Sequence, residues 1–530
     1  MTDKNPSSSA LSEPLFRTIW IAAVFSQIGV WVQDIGANWV MTELTKSPLT
    51  ISMLQVALAL PTFIVALPAG VLTDLLSKRK ILLITSLWML IIAIVLSILT
   101  HFSLLNEWII LGLIFLYGLG NSFYNPAWQA TVPDIVSEKN LISAIALNSA
   151  SINIARAVGP AIGGLLISLT GPAATMIFNA LSFVGLMYII FRWKEEKHES
   201  NLPKEHFFEA LKVGVRFVSN STDFKIVLLR TGVFLFFGSA LWALLPYVLR
   251  AKLGYGSHEF GISMGVIGAG ALLTSFSLIK LRSTLGVEKA LALGKILMSL
   301  SLLGLALITN LQYMLVNLFF AGAGWITVIS GLHTSSITVL PKWIRGRALS
   351  LYNLVFFGSM ALGSFLWGFL AEKISSDQTL ILASGGMFLS ILLGFKYVLP
   401  LGTKDLDPSK HWHDPHDNFS FSEDIKGKVK IEIHYEVKEE NHKEFLKLIF
   451  QMKPIRRSQG GFNWDIFQHG ESTNNFIEVF HIESWEQHLH QHHRFTKDDR
   501  LLEEKIHKLH IGEDRPKVSH YISGQYRSIK

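Results

Sequence analysis

From Leu15 to Leu401 the chain repeats one pattern, in which a long apolar run is followed by a short polar turn and then another run. The hydrocarbon core of a bilayer is about 30 Å thick and a helix rises about 1.5 Å per residue, so roughly 20 mostly apolar residues cross it. The pattern predicts twelve spans, at 15–41, 48–74, 80–102, 106–130, 141–168, 172–192, 225–249, 258–281, 289–308, 311–337, 346–371 and 379–399. Backbone polar groups find no water at mid-bilayer, which leaves only helices or a closed barrel. Barrel strands would alternate apolar and polar over about ten residues. Runs such as 81–100 and 290–308 are apolar on every side, so the spans are predicted to be helices.

The pattern changes after Leu401. Residues 402–424 are polar and read as a linker, and 425–522 read as a small soluble domain. Within it 428–437, 461–469, 475–482 and 517–522 carry strand patterns, while 439–458 and 485–509 are helical, the latter in two pieces. The order βαββαβ predicts a ferredoxin-like sandwich. The expected fold is therefore an all-α polytopic membrane protein with a small C-terminal α+β ferredoxin-like domain. Its twelve transmembrane helices fall in two six-helix halves, 15–193 and 223–401, preceded by a polar tail, 1–14. In the connector 194–222, Phe207, Leu211, Val215 and Val218 recur at helical spacing opposite Glu205, Glu209, Lys212 and Arg216, which predicts an amphipathic helix at the membrane surface.

The halves look duplicated. Residues 131–166 and 338–371 share a Val/Leu-Pro start, an Ala-Leu step, an asparagine (Asn148, Asn353) and a glycine pair (Gly159 and Gly164; Gly363 and Gly368) in similar order. Small residues also recur in any packed membrane helix. Repeated halves with a binding site between them are nevertheless the usual plan of secondary transporters.

Charge sets the expected orientation. Lys and Arg gather in alternate turns (Lys78, Arg79 and Lys80; Lys280, Arg282 and Lys289; Lys342, Arg345 and Arg347) and in the central connector. This bias marks the cytoplasmic side and places both termini there. It accounts for most of the net charge of +7, so that charge does not point to nucleic acid. The first fourteen residues do not resemble a signal peptide. The absence of cysteine excludes disulfides, thiol catalysis and cysteine metal sites. No GxxxxGK[ST] loop is present, which argues against direct use of ATP.

Charges inside spans are the best pointers to function, because each costs a few kcal/mol or more when unpaired. Two stand out, Asp34 in span one and Arg156 in span five, at similar depths of roughly 22–28 Å from the cytoplasmic surface. They are expected to form a buried pair that couples protons to transport, or a static structural pair. Gln33, Asn38, Gln55, Tyr124, Asn125 and Trp128, with Trp325, His333 and Asn353 in the second half, are candidates to line a substrate cavity. Many aromatics and few charges suit a bulky, partly apolar substrate.

Two motifs carry a family resemblance. The turn after span two reads Gly70-Val-Leu-Thr-Asp74-Leu-Leu-Ser-Lys78-Arg79-Lys80, and span five holds Gly159-Pro160-Ala-Ile-Gly163-Gly164. The first resembles the cytoplasmic signature of the major facilitator superfamily, with Leu75 in place of a basic residue and Ser77 in place of a glycine. The second resembles the antiporter signature of its exporters, with Ala155 in place of the upstream glycine. The resemblance implies a rocker-switch transporter driven by the proton gradient, with no other cofactor, in the bacterial cytoplasmic membrane. It makes Gly70, Asp74, Lys78, Arg79 and Lys80 the cytoplasmic gate, and it favours export of a siderophore, antibiotic or drug. The alternatives are proton-coupled uptake of the same class of solute, or a transporter fused to a catalytic domain. The superfamily's usual arginine in span four is missing, and Arg156 is expected to take its work.

Histidine is concentrated in the tail, with His411, His413 and His416 in the linker and His488, His490, His492 and His493 in one helical stretch. His488 and His492 lie one helical turn apart and could share a metal; a solvated helix face is the simpler reading, and no metal is expected. The string EVFHIESWEQHLHQHHRFTKDDRLLEEK resembles the tail of the enterobactin-exporter-like, transmembrane-secretion-effector branch and the dimeric αβ-barrel domains of antibiotic-biosynthesis monooxygenases. With no cofactor motif in view, the resemblance implies a dimerisation or regulatory module rather than an enzyme. The expected partners are a small-molecule substrate, protons, the lipid bilayer and a second copy of the tail.

Overall fold

The computed structural model describes residues 9–195, 207–341, 343–400, 402, 404–409, 427–512 and 515–523; within these, the side chains at 67, 71, 74, 75, 138, 142, 149, 153, 157, 207–213 and 493 are left aside. Among the described residues, twelve helices are long and apolar enough to cross a membrane, and they fall on the twelve predicted spans. The first six are α1 (Pro14–Leu44), α2 (Pro48–Leu75), α3 (Lys78–His101), α4 (Glu107–Thr131), α5 (Leu141–Thr170) and α6 (Ala173–Arg192). After α7 (Phe207–Asn220) come α8 (Thr222–Pro246, continued as a π-helix over Tyr247–Lys252), α9 (Ser257–Leu285), α10 (Val287–Leu307), α11 (Leu311–Thr338), α12 (Arg345–Lys373) and α13 (Ser376–Leu389) with its short extension α14 (Leu393–Lys396).

Local chemistry sets the ends of these helices. Ser47, Ser77, Asn106 and Ser375 cap α2, α3, α4 and α13 by accepting backbone N–H bonds. Gly171 and Gly286 stop α5 and α9 at φ +88° and +81°, a region closed to most side chains. Outward-facing side chains stay apolar, with Phe276 79% and Ile279 84% exposed, as a lipid-facing surface requires. Lipid is as apolar as leucine, so burial of apolar area does not hold these helices together; close packing at small residues does.

Contacts divide the chain into two compact units. The first comprises Met1–Pro203, Leu228–Thr334 and Ser350–Leu399, and the second Lys204–Val227, Ser335–Leu349 and Pro400–Lys530. The connector and the segment before α12 thus group with the tail.

In the second unit β1 (Val429–Glu436), α15 (His442–Ser458), β2 (Phe462–Gln468), β3 (Asn475–Ile482), α16 (Trp485–Arg494), α17 (Lys497–His507) and β4 (Lys517–Ile522) follow in order. The strands form an antiparallel sheet, β2-β3-β1-β4, the βαββαβ arrangement expected, with the second helix in two pieces. Strand β1 alternates strictly, burying Val429, Ile431, Ile433 and Tyr435 against Phe445, Ile449 and Met452 of α15. Arg456 makes two ion pairs inside this core: its Nε lies 3.2 Å from Glu478 Oε1, both almost fully buried, and its Nη2 lies 3.6 Å from Glu503. Trp464 Nε1 and Tyr435 Oη also donate to Glu478, at 2.8 and 3.2 Å.

The amphipathic helix forms as α7; of its predicted apolar face the side chains of Phe207 and Leu211 lie outside the described residues, and Val215 is 45% exposed. Phe217 is buried and meets Trp343 edge-on at 5.8 Å, and Arg216 donates to the Gly460 carbonyl. A side chain at Gly214 would stand 3.2 Å from Arg347 Cβ, so α7 packs closely on that side.

Candidate transport site

The glycines of the repeated segments mark where the two halves meet. A Cβ on Gly164 would stand 2.5 Å from Gly261 Cα, so α5 touches α9 backbone to backbone. A Cβ on Gly368 would collide with Ser52 Oγ and stand 3.2 Å from Leu49 Cα, so α12 packs closely on α2. The positions correspond: Ser52 and Gly261 each lie five residues after the N-cap of their helix, Ser47 and Gly256. The other glycine of each pair faces inward within its own half, Gly159 against Trp31 of α1 and Gly363 against Phe236 and Ser239 of α8. The duplication therefore appears as two equivalent seams, α5 on α9 and α12 on α2. Pro160, whose carbonyl lies 3.3 Å from a Cβ on Gly261, completes the first, while Gly163 packs against Ile35 and Val32 of α1 within its own half.

Further contacts follow the seams. Along α2 and α12, Ser47 Oγ donates to Glu372 at 2.7 Å, Phe63 lies against Gly358, and a Cβ on Gly70 would stand 2.6 Å from Ser350 Oγ. Where α1 nears the second half, Arg250 lies 4.5 Å over the ring of Trp39, which also meets Phe260 at 6.3 Å.

Asp34 and Arg156 do not form the expected ion pair. The Asp34 carboxylate accepts from Asn38 Nδ2 at 3.3 Å, one turn along its own helix, and no described cation lies within 4.0 Å. Arg156 instead places its guanidinium 5.5 Å over the ring of Trp31. The indole one turn before Asp34 thus takes up the cation.

The expected cavity residues fall into small polar sets. Gln33 accepts from Asn179 Nδ2 at 2.8 Å, and the same nitrogen lies 3.2 Å from Tyr117 Oη, so α1, α6 and α4 share a buried network. Trp128 donates to Asn148 and Asn125 to Asn121. Tyr124 and Gln55 are buried. In the second half Trp325 packs in an aromatic cluster with Phe234 and Trp242, at 5.5 and 5.4 Å, and His333 faces Tyr352, next to Asn353. Sequence reading missed Asn179 and Tyr117, whose neighbours come from distant segments. It also missed Arg230 and Lys295, although each is a visible charge in an apolar run. Arg230, 2% exposed, holds Glu288 through two bonds of 2.5 and 2.9 Å, and Lys295 donates to the Ser390 carbonyl at 3.0 Å.

A family model described as transmembrane secretion effector matches residues 6–528, nearly the whole chain. The chain belongs to that family. Among curated relatives, the staphyloferrin A transporter of Staphylococcus aureus is 23% identical over 66% of this chain and 88% of its own. Macrolide efflux protein A of Streptococcus pyogenes is 23% identical over 71% and 94%. The enterobactin exporter of Escherichia coli is 25% identical over 74% and 92%. Among solved structures, a POT family transporter superposes with a TM-score of 0.58 at 12% identity, covering 73% of this chain and 96% of its own. The nucleoside transporter NupG does so at 0.57 and 12%, covering 74% and 100%. These likenesses show a shared fold. The protein is a multi-pass membrane transporter of the major facilitator type, not an enzyme.

In this secretion effector the basic triplet of the gate segment is held within the first half. Ser77 caps α3 and donates to Glu195, whose other oxygen accepts the Lys78 amide at 2.9 Å. Lys78 Nζ pairs with Asp134 at 2.6 Å beyond the end of α4, and Arg79 donates to the carbonyls of Ile190 and Phe191 at the end of α6. Lys80 is exposed, and the side chain of Asp74 lies outside the described residues. In the tail, His488 Nε2 lies 3.3 Å from His492 Nε2 and 3.0 Å from His520 Nε2. No group of three or more metal-ligating side chains with suitable geometry is present among the described residues.

Proposed function

We propose that this transporter is a proton-driven exporter of a bulky amphipathic small molecule, of the siderophore or macrolide kind that its relatives are named for, working by rocker-switch alternating access. The observation that carries the reading is Asp34, a carboxyl group inside a membrane span, beside the buried Gln33–Asn179 network and without a cationic partner among the described residues. A static ion pair would be neutralised once and for all. A carboxyl group whose only described side-chain partner is an amide is free to take up and release a proton as access alternates. The seams α5–α9 and α12–α2 are the surfaces on which the halves would rock. The Lys and Arg bias supports the bacterial inner membrane with both termini and the tail in the cytoplasm. The sheet face away from the helices, with Phe467 53% and Tyr521 52% exposed, supports self-association of tails.

The test uses the purified chain in liposomes with an imposed proton gradient and a labelled macrolide or enterobactin as probe. Export predicts that substrate and protons move in opposite directions. Substrate entering together with protons would overturn it in favour of uptake. Asp34→Asn should lower gradient-driven movement by about tenfold or more while sparing gradient-free exchange, since ΔΔG‡ of about 1.4 kcal/mol is a factor of ten.

A further inference from the structure

The tail domain contains a second place where a small molecule fits. Between the sheet and helices α16 and α17 lies a cavity of about 530 Å³, within the range of sites for drug-sized ligands. One wall is apolar: Ile431 and Ile433 of β1, Phe480 of β3, and Pro516 and Val518 at β4. The facing wall is polar, built from His488, Gln491 and His492 of α16 with His520 of β4. Burial, with His492 and His520 alongside, pushes His488 far below the usual histidine range, so that imidazole stays neutral. Gln491 is 1% exposed, and beyond its interaction with His488 its amide oxygen and nitrogen have no hydrogen-bond partner of ordinary geometry among the described residues. A buried amide left in that state costs about 1–3 kcal/mol unless something entering the cavity meets it.

Charge supplies the third feature. Arg456 at the back is matched by Glu478 and Glu503, and Arg500 by Glu504 at 2.7 Å. Lys508 and Arg515 also line the cavity, and neither has an ion pair among the described residues. An apolar wall, a hydrogen-bonding wall and two cations unmatched among the described residues together select a molecule with an apolar body, hydrogen-bonding groups and a negative end.

We propose that this cavity is a binding site for an amphipathic organic anion, a ring system bearing a carboxylate or phenolate, with its rings on Ile431, Ile433 and Phe480, its polar edge on Gln491 and the histidines, and its anionic group at Lys508 and Arg515. Helix α16 bears on more than the ligand. Its last residue, Arg494, lies 4.6 Å over the ring of Trp343, which in turn meets Phe217 of α7. Occupancy of the cavity therefore acts on the helix that holds the connector and the segment leading into α12.

The experiment measures binding of 1-naphthoate, with neutral 1-naphthamide beside it, to the full chain in nanodiscs by calorimetry. Naphthoate should bind, and naphthamide about tenfold more weakly. The double variant Lys508→Glu/Arg515→Glu should lose about tenfold for naphthoate only. Val518→Trp should abolish binding of both; Val518 is 49% exposed on an edge strand, so an indole there fills the cavity without entering the core. Absence of naphthoate binding at millimolar concentration would overturn the proposal. Binding unchanged in both variants, which would place the probe elsewhere in the protein, would overturn it equally. Neither result depends on transport, so the exporter reading stands or falls separately.

Discussion

Gly164→Ala is the sharpest test of how the halves are joined. The added methyl carbon would stand 2.5 Å from Gly261 Cα, 3.1 Å from the Ser257 carbonyl oxygen and 3.2 Å from the Gly261 nitrogen. Ordinary contact begins near 3.4 Å, so the helices must separate by about 0.9 Å. All three neighbours are backbone, and no side chain can swing aside. Helix α5 cannot retreat either, because Gly159 and Gly163 on its other side lie against Trp31 and Ile35. Overpacking of this kind costs about 1–3 kcal/mol. If the cost falls only on states in which this seam is closed, it shifts the alternating-access equilibrium by roughly 5- to 150-fold toward the open seam. The chain has no cysteine, so spin labels on two introduced cysteines, at Leu169 and His258, report the seam by pulsed EPR without background. The expected result is a broadened or lengthened distance distribution and a lower melting temperature. Gly185→Ala, with nothing within 4 Å of its added methyl, should change neither. An unchanged distribution for Gly164→Ala, or an equal effect from Gly185→Ala, would refute the seam.

Other consequences can be measured in the tail. Arg456→Met leaves Glu478 buried without its cation, which costs about 3–5 kcal/mol and should lower the melting temperature of the tail by about 12 °C or more, followed by fluorescence of the buried Trp464. Trp343→Ala removes the Arg494 stack and the Phe217 contact, together about 1–3 kcal/mol, so amide exchange in 214–220 should quicken by about tenfold. Burial holds His488 and His507 below the usual histidine range, so the unfolded chain takes up protons that the folded tail refuses. Their contribution to stability is complete above about pH 6.5 and declines as the pH falls below it. Melting of the tail should therefore drop between pH 7 and 5, and His488→Gln should flatten that slope.

The twelve spans and the tail's strands were legible because their signals are local. An apolar run long enough for a bilayer, or a strict alternation such as Val429, Ile431, Ile433 and Tyr435, needs no knowledge of its neighbours. The glycine pairs were legible as a repeat, since Gly159 and Gly164 recur as Gly363 and Gly368. Which helix each glycine meets was not, because a missing side chain shows only that something comes close. The Asp34–Arg156 pair failed for a related reason. Distance along two helices does not fix rotation about their axes, and the structure places the Arg156 guanidinium over Trp31 instead.

The sequence by itself determined that this chain crosses a membrane many times, that it is built from two related halves, and that it carries an α+β appendage. These follow from hydrophobic length, period and repetition, all written along one dimension. Only the tertiary structure decided that Arg156 faces an indole, that α5 meets α9 as α12 meets α2, that α7 turns Phe217 inward, and that Ile433, Gln491 and Lys508 border one cavity. Each of those depends on residues far apart in the chain whose side chains come together through packing, and packing is set by shape in three dimensions rather than by any local pattern.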